Sequence, residues 1–244
     1  MLRVFFLCYG KDVLNFFNRR FLLIGIILLD THFPRLEGDV GNPQSYSFPV
    51  LFEKVKGAIP SRVIRERDVS LIAPFIQAAR VLERRGAKAI TTSCGFLALW
   101  QREMAASVKV PVFSSSLIQV PWAYQIVGRK GKIGVFTADE TSLTMAHFEG
   151  VGAADIPIII HGMKPGSEFY KVYIENSKKI DVSKIEKEVV QEVLLLMKGN
   201  PNISALVLEC ANMHVFIKSI REVTKVPIFD ILTLVQFISS SIAR

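Results

Sequence analysis

Four short apolar runs recur along the chain with no polar residue at every second position: "LLIGIILL" from Leu22, "KAITTS" from Lys88, "KIGVFT" from Lys132 and "ALVLE" from Ala205. Continuous runs of this length are expected of strands buried on both faces of a parallel sheet. The stretches between them have helical spacing. "SLIAPFIQAARVLERRG" from Ser70 closes on Arg84, Arg85 and Gly86, a helix stop, with Pro74 near its start. "SKIEKEVVQEVLLLMKG" opens with Ser183 and Glu186 in capping-box spacing and ends at Gly199. It repeats apolar residues at Ile185, Val189, Val190, Val193 and Met197. Strands alternating with helices predict an α/β fold.

The pattern occurs twice. Cys94 is followed seventeen residues later by Pro111 in "KVPVF", and Cys210 seventeen residues later by Pro227 in "KVPIF". Upstream, "IGIILLD" from Ile24 matches "IGVFTAD" from Ile133, which puts Asp30 and Asp139 in equivalent places. Each half reads strand, loop, helix, Gly, strand, Cys, helix, then a "KVP(V/I)F" strand. This predicts two Rossmann-like lobes with parallel sheets, related by a pseudo-twofold axis, with a cleft between them.

Composition narrows the function classes. The chain has 244 residues, half of them apolar, enough for one domain or two half-size lobes. Its 30 Lys and Arg against 22 Asp and Glu give a formal charge of +8. The charge is scattered, and its densest stretch, "SRVIRERD" at Ser61 to Asp68, mixes signs without interleaved aromatics, so no nucleic-acid partner is expected. Three cysteines without a disulfide framework predict a reducing, cytoplasmic setting with free thiols. The run "FLLIGIILL" falls far short of the roughly 20 apolar residues that span a bilayer, so no membrane partner is expected. Residues 1–20, interrupted by Lys11 and Asp12 and lacking a small-residue cleavage site, read as an N-terminal extension outside the fold and not as a secretory signal; Cys8 belongs to it. His32, His147, His161 and His214 form no ligand-spaced cluster, so no metal is expected.

Ligands of open parallel sheets bind beyond the carboxyl ends of the strands, where Cys94 and Cys210 fall. A single cysteine there is commonly a small core hydrophobe. A matched pair facing each other across a pseudo-twofold axis could instead remove a proton from one face of a carbon and return one to the other. Such thiols need a lowered pKa, which a helix N-terminus after each Cys would favour. The hydroxyls of Thr91, Thr92 and Ser93 could assist Cys94. Glu209 beside Cys210 would oppose ionisation, but strand alternation is expected to turn it to the other face.

The segments "LDTHFPRLEGDVGNP" at Leu29 to Pro43, "TTSCGFLA" at Thr91 to Ala98 and "LECANM" at Leu208 to Met213 resemble the aspartate/glutamate racemase superfamily, in particular one of its uncharacterised amino-acid racemase-like branches. The resemblance spans Leu22 to the C-terminus. It implies a two-lobed α/β enzyme without a cofactor, with Cys94 and Cys210 as the acid-base pair and Asp30 and Thr31 lining the site. It implies that the chain returns to the first lobe at its end, which gives lobe 1 as residues 21–118 with 233–244 and lobe 2 as 119–232. It also suggests a homodimer. Glutamate and aspartate racemases carry Cys-Asn-Thr and Cys-Thr where this chain has Gly95 and Phe96, then Ala211 and Asn212. Carboxylate binding is then left to backbone N–H groups and to Arg35, Asn42, Ser93, Ser114, Ser115, Thr137 and Thr141. The expected activity is a racemase or epimerase (an isomerase) acting on an amino acid or related small carboxylate. The alternatives are a cysteine-dependent isomerase or decarboxylase of the maleate isomerase or arylmalonate decarboxylase kind, and a non-catalytic small-molecule sensor.

Overall fold

A computed structural model describes residues 23–242; the expected extension and Cys8 lie outside the described residues. The first half of the chain runs through β1 (Ile24–Leu28), β2 (Val50–Lys54), α1 (Pro60–Ile64), α2 (Ile72–Arg84), β3 (Ala89–Thr92), α3 (Gln101–Ala106), β4 (Val112–Phe113) and α4 (Val120–Ile126). The second runs through β5 (Lys132–Thr137), α5 (Met145–Gly150), β6 (Ile158–Gly162), α6 (Glu168–Tyr173), α7 (Val182–Gly199), β7 (Ile203–Leu208), α8 (Ile217–Val223), β8 (Ile228–Phe229) and α9 (Ile231–Ile242).

The strands form two four-stranded parallel sheets of the same order, β2-β1-β3-β4 and β6-β5-β7-β8. The two lobes are thus pseudo-symmetric, as the repeat predicts. The four apolar runs became the inner strands β1, β3, β5 and β7. The edge strands β2 and β6, which are only partly buried, were not among those four runs.

Both faces of β1 are covered. Ile27 joins the large core, while Ile24 and Ile26 pack with Ala89 and Phe113 against Ile231, Leu232, Leu234 and Val235 of α9. The last helix therefore lies across the first sheet. In α2, Pro74 sits in the first turn, where its missing N–H leaves no intrahelical bond unmade, and Gly86 beyond the helix end adopts φ 95°. The start of α7 differs from the capping-box reading. Asp181, two residues before Ser183, caps the helix by accepting the Lys184 N–H at 3.0 Å, and Ser183 lies inside it.

Among the described residues, no helix is long and apolar enough to cross a membrane, and no group of His, Cys, Asp and Glu is arranged to hold a metal ion.

Candidate active site

In each lobe the connection after the first strand leads to one side of the sheet and that after the third to the other, so the two loops diverge and leave a crevice at the strand ends. The two crevices face each other. Leu29 and Thr31 follow β1, Ser93 to Phe96 follow β3, Ala138 follows β5, and Glu209 to Asn212 follow β7; all of them line one cavity. Phe33, Arg35 and Tyr173 complete much of its wall.

Of the residues proposed from sequence, Cys94, Cys210, Thr31, Arg35, Ser93, Gly95, Phe96, Ala211 and Asn212 line this cavity. Asp30, Asn42, Ser114 and Thr137 do not. Asp30 turns to the β2 side, where it accepts the Gly57 N–H at 3.0 Å and lies 3.6 Å from Lys54. Asn42 accepts the Gln44 N–H and donates to the Arg35 carbonyl, holding the loop. Ser114 donates to Gln101 Oε1 at 2.8 Å within the first lobe. Thr137 reaches the site only through Glu209, donating to its Oε2 at 2.7 Å. Thr141 donates to Asp139, and Ser115 accepts from the Leu117 N–H.

The cavity wall is set by a chain of contacts. Arg35 donates from Nη1 to Asp39 at 2.8 Å and from Nη2 to Thr31 Oγ1 at 2.9 Å, with its guanidinium over the Phe33 ring. Asp39 also accepts from Asn212 Nδ2 at 2.7 Å, which ties this loop of the first lobe to the residue two after Cys210. Phe33 meets Tyr173 edge to face at 5.0 Å across the same gap. On the far side Phe96 packs edge to face on His147 of α5.

Glu209 contradicts the alternation argument. β7 ends at Leu208, so the two-residue period no longer governs Glu209, and its buried side chain faces the cavity. Its Oε1 has no hydrogen-bond partner among the described residues. Gly95 makes the space: a Cβ there would collide with the Glu209 carbonyl and Oε1. The Gly after Cys94 and the Glu before Cys210 are thus one fitted pair, a relation no local pattern could reveal.

Burial pushes Glu209 up to about 7, against the pull of the Thr137 hydroxyl and the Ala138 N–H. The expectation of acidified thiols is corrected in the same way. N–H groups of Phe96 and Leu97 favour the Cys94 thiolate and that of Asn212 favours the Cys210 thiolate, but burial, and then the Glu209 charge, raise both thiols well above the usual range. Each Cys leads into a 3-10 turn, Gly95–Trp100 or Met213–Phe216, with less dipole to offer than a full helix. Cys210 is the less buried of the two residues, with its Sγ 3.7 Å from Asn212 Oδ1; Cys94 is buried.

Two lobes with matched sheet order around one cysteine-lined cavity can be set against solved structures. An allantoin racemase from Klebsiella pneumoniae superposes with a TM-score of 0.64 at 14% identity, over 90% of this chain and 86% of that one. For a glutamate racemase from Bacillus anthracis the TM-score is 0.57 at 16% identity, over 90% and 82% of the two chains. The fold is that of the aspartate/glutamate racemase superfamily. Unliganded arylmalonate decarboxylase shares it, with a TM-score of 0.56 over 91% and 93% of the two chains at 13% identity. No protein-family model matches the chain.

Likeness in sequence points to other chemistry within this superfamily fold. The chain is 29% identical over 239 residues to a dimethylsulfoniopropionate lyase from a clade D Durusdinium species, covering 93% of this chain and 76% of that protein. It is 28% identical over 230 residues to dimethylsulfoniopropionate lyase 7 of Emiliania huxleyi, covering 86% of this chain and 64% of that one. The expected isomerase, an amino-acid racemase or epimerase, is corrected by these relatives, which are lyases. The expectation failed because fold and paired cysteines are common to several reactions, and inversion was read from them alone.

Proposed function

We propose that this chain is a lyase that eliminates dimethyl sulfide from dimethylsulfoniopropionate or a close sulfonium carboxylate, leaving acrylate. The observation that carries the reading is the likeness to dimethylsulfoniopropionate lyases over most of the chain. The cavity supports it. Elimination needs one base at the carbon next to the carboxylate, because the sulfonium leaves as a neutral sulfide and needs no acid. Inversion would need a second acid-base group on the opposite face of the carbon, and the surroundings of the two thiols differ: Ser93, which accepts the Leu29 N–H, precedes Cys94, and a buried carboxyl precedes Cys210.

In this reading the carboxylate of the substrate meets Arg35, which Asp39 and Thr31 hold rigidly. The sulfonium, a diffuse cation, sits against the aromatic surfaces of Phe33, Phe96 and Tyr173. Cys210, the less buried of the two cysteines, takes the proton as thiolate. The electrons of the C–H bond form the double bond and the C–S pair departs with sulfur.

The test is head-space measurement of dimethyl sulfide from purified protein given dimethylsulfoniopropionate. Release that falls at least about 100-fold in Cys210→Ala supports the reading. No release by the wild type, or full release by the variant, overturns it.

A further inference from the structure

A thiol buried beside a carboxylate is a poor base when each group is considered separately, since a thiolate formed there would add a second negative charge to a dry site. Considered together the two groups behave differently. Glu209, one of the residues lining the cavity with both thiols, has one oxygen anchored, Oε2 on the Thr137 hydroxyl, and one, Oε1, buried without a hydrogen-bond partner among the described residues. A buried carboxylate oxygen without a donor is an acceptor waiting for a proton. Both thiols line the cavity with Glu209: Oε1 abuts the backbone just after Cys94, and Glu209 directly precedes Cys210 in the chain.

We propose that Glu209 is the proton relay of this site: its Oε1 takes the proton of the Cys210 thiol to make the thiolate base, and later passes that proton to solvent. The inference rests on the elimination proposed above. In the first step the S–H bond breaks and an O–H bond forms on Oε1, so the negative charge moves between neighbours and none is added. In the second the thiolate takes the proton from the carbon next to the carboxylate, and the C–S pair leaves as neutral sulfide. Cys210 is then a thiol again and Glu209 is still protonated, so the protein holds the one extra proton that the reaction yields. Its loss from Glu209 restores the starting state. The sulfonium of the substrate favours a site that keeps one negative charge.

The titration of Glu209 is set by its surroundings. Asp139 beyond β5 and the thiols of Cys94 and Cys210 lie on the negative side, and the Thr137 hydroxyl and Ala138 N–H oppose them. Arg35 and Asp39 of the first lobe and Tyr173 of the second stand around the same site. With burial the balance puts Glu209 at about 7, a value suited to accepting and releasing a proton near neutrality.

Two measurements on Glu209→Gln test the relay. In the first, kcat for dimethyl sulfide release falls at least about 100-fold at pH 7 while KM stays within a few-fold, and the rise of kcat/KM near pH 7 moves to alkaline pH. In the second, Cys210 alkylation by iodoacetamide is followed by mass spectrometry across pH. In the wild type it levels off just above pH 7, and in the variant it rises only at alkaline pH. Thr137→Val, which keeps the carboxyl but removes its anchoring donor, shifts both wild-type profiles upward and serves if the Gln variant fails to fold. An unchanged pH profile in Glu209→Gln overturns the relay. If the wild type releases no dimethyl sulfide but the alkylation profiles differ as stated, the substrate assignment fails and the relay stands.

Discussion

Gly95 shows how closely a single residue can be fixed by a partner far along the chain. Its place directly after Cys94 marked a departure from the glutamate and aspartate racemases, but the structure gives it a steric cause, because Glu209 occupies the volume that a side chain would need. Gly95→Ala must therefore push the two lobes apart locally. The expected result is a loss of about 1–3 kcal/mol in urea denaturation, together with reduced dimethyl sulfide release because Glu209 is displaced. The cysteines and Arg35 were visible in the sequence as chemistry. Glu209 was visible too, but strand alternation dismissed it, and that argument holds only while the strand continues.

At the scale of elements, the strand and helix cores were legible wherever apolar residues followed a clear period, and the ends were decided by caps. In α7 the buried Ile185, Val189 and Val193 obey the expected spacing, whereas the cap is Asp181 and not Ser183. Asp181→Ala is expected to lower stability by about 1 kcal/mol. Ser183→Ala, inside the helix and exposed, should fall within about 0.5 kcal/mol of wild type. Chemical denaturation of the two variants separates these outcomes; equal losses would restore the capping-box assignment. The edge strands β2 and β6 were missed although each opens with three apolar residues, which are only half-buried in the fold.

For the whole molecule, two buried titratable groups tie stability to pH in opposite directions. Glu209 is raised from 4.5 to about 7, so the folded state holds a proton that the unfolded chain has lost, and stability falls as pH rises through that window. His147 is lowered from 6.5 to about 4 by burial, so its contribution is lost as pH falls through the same region. Glu209→Gln removes only the first slope. Relative to wild type, the variant should gain roughly 3 kcal/mol between pH 4.5 and pH 7, read from urea midpoints at the two pH values. A constant difference would mean that Glu209 titrates as an ordinary exposed carboxyl.

The repeat of strand, Cys and "KVP(V/I)F" determined two like lobes, parallel sheets and a pair of thiols at the strand ends, because burial on both faces and chain topology follow from local apolar pattern and order. Tertiary structure alone decided which side chains share the cavity. It turned Asp30 and Ser114 away, joined Asp39 to both Arg35 and Asn212, and set the Glu209 carboxyl against Gly95. Those relations depend on how two lobes close on one another, and the electrostatics that makes a thiol inert or reactive depends on them in turn.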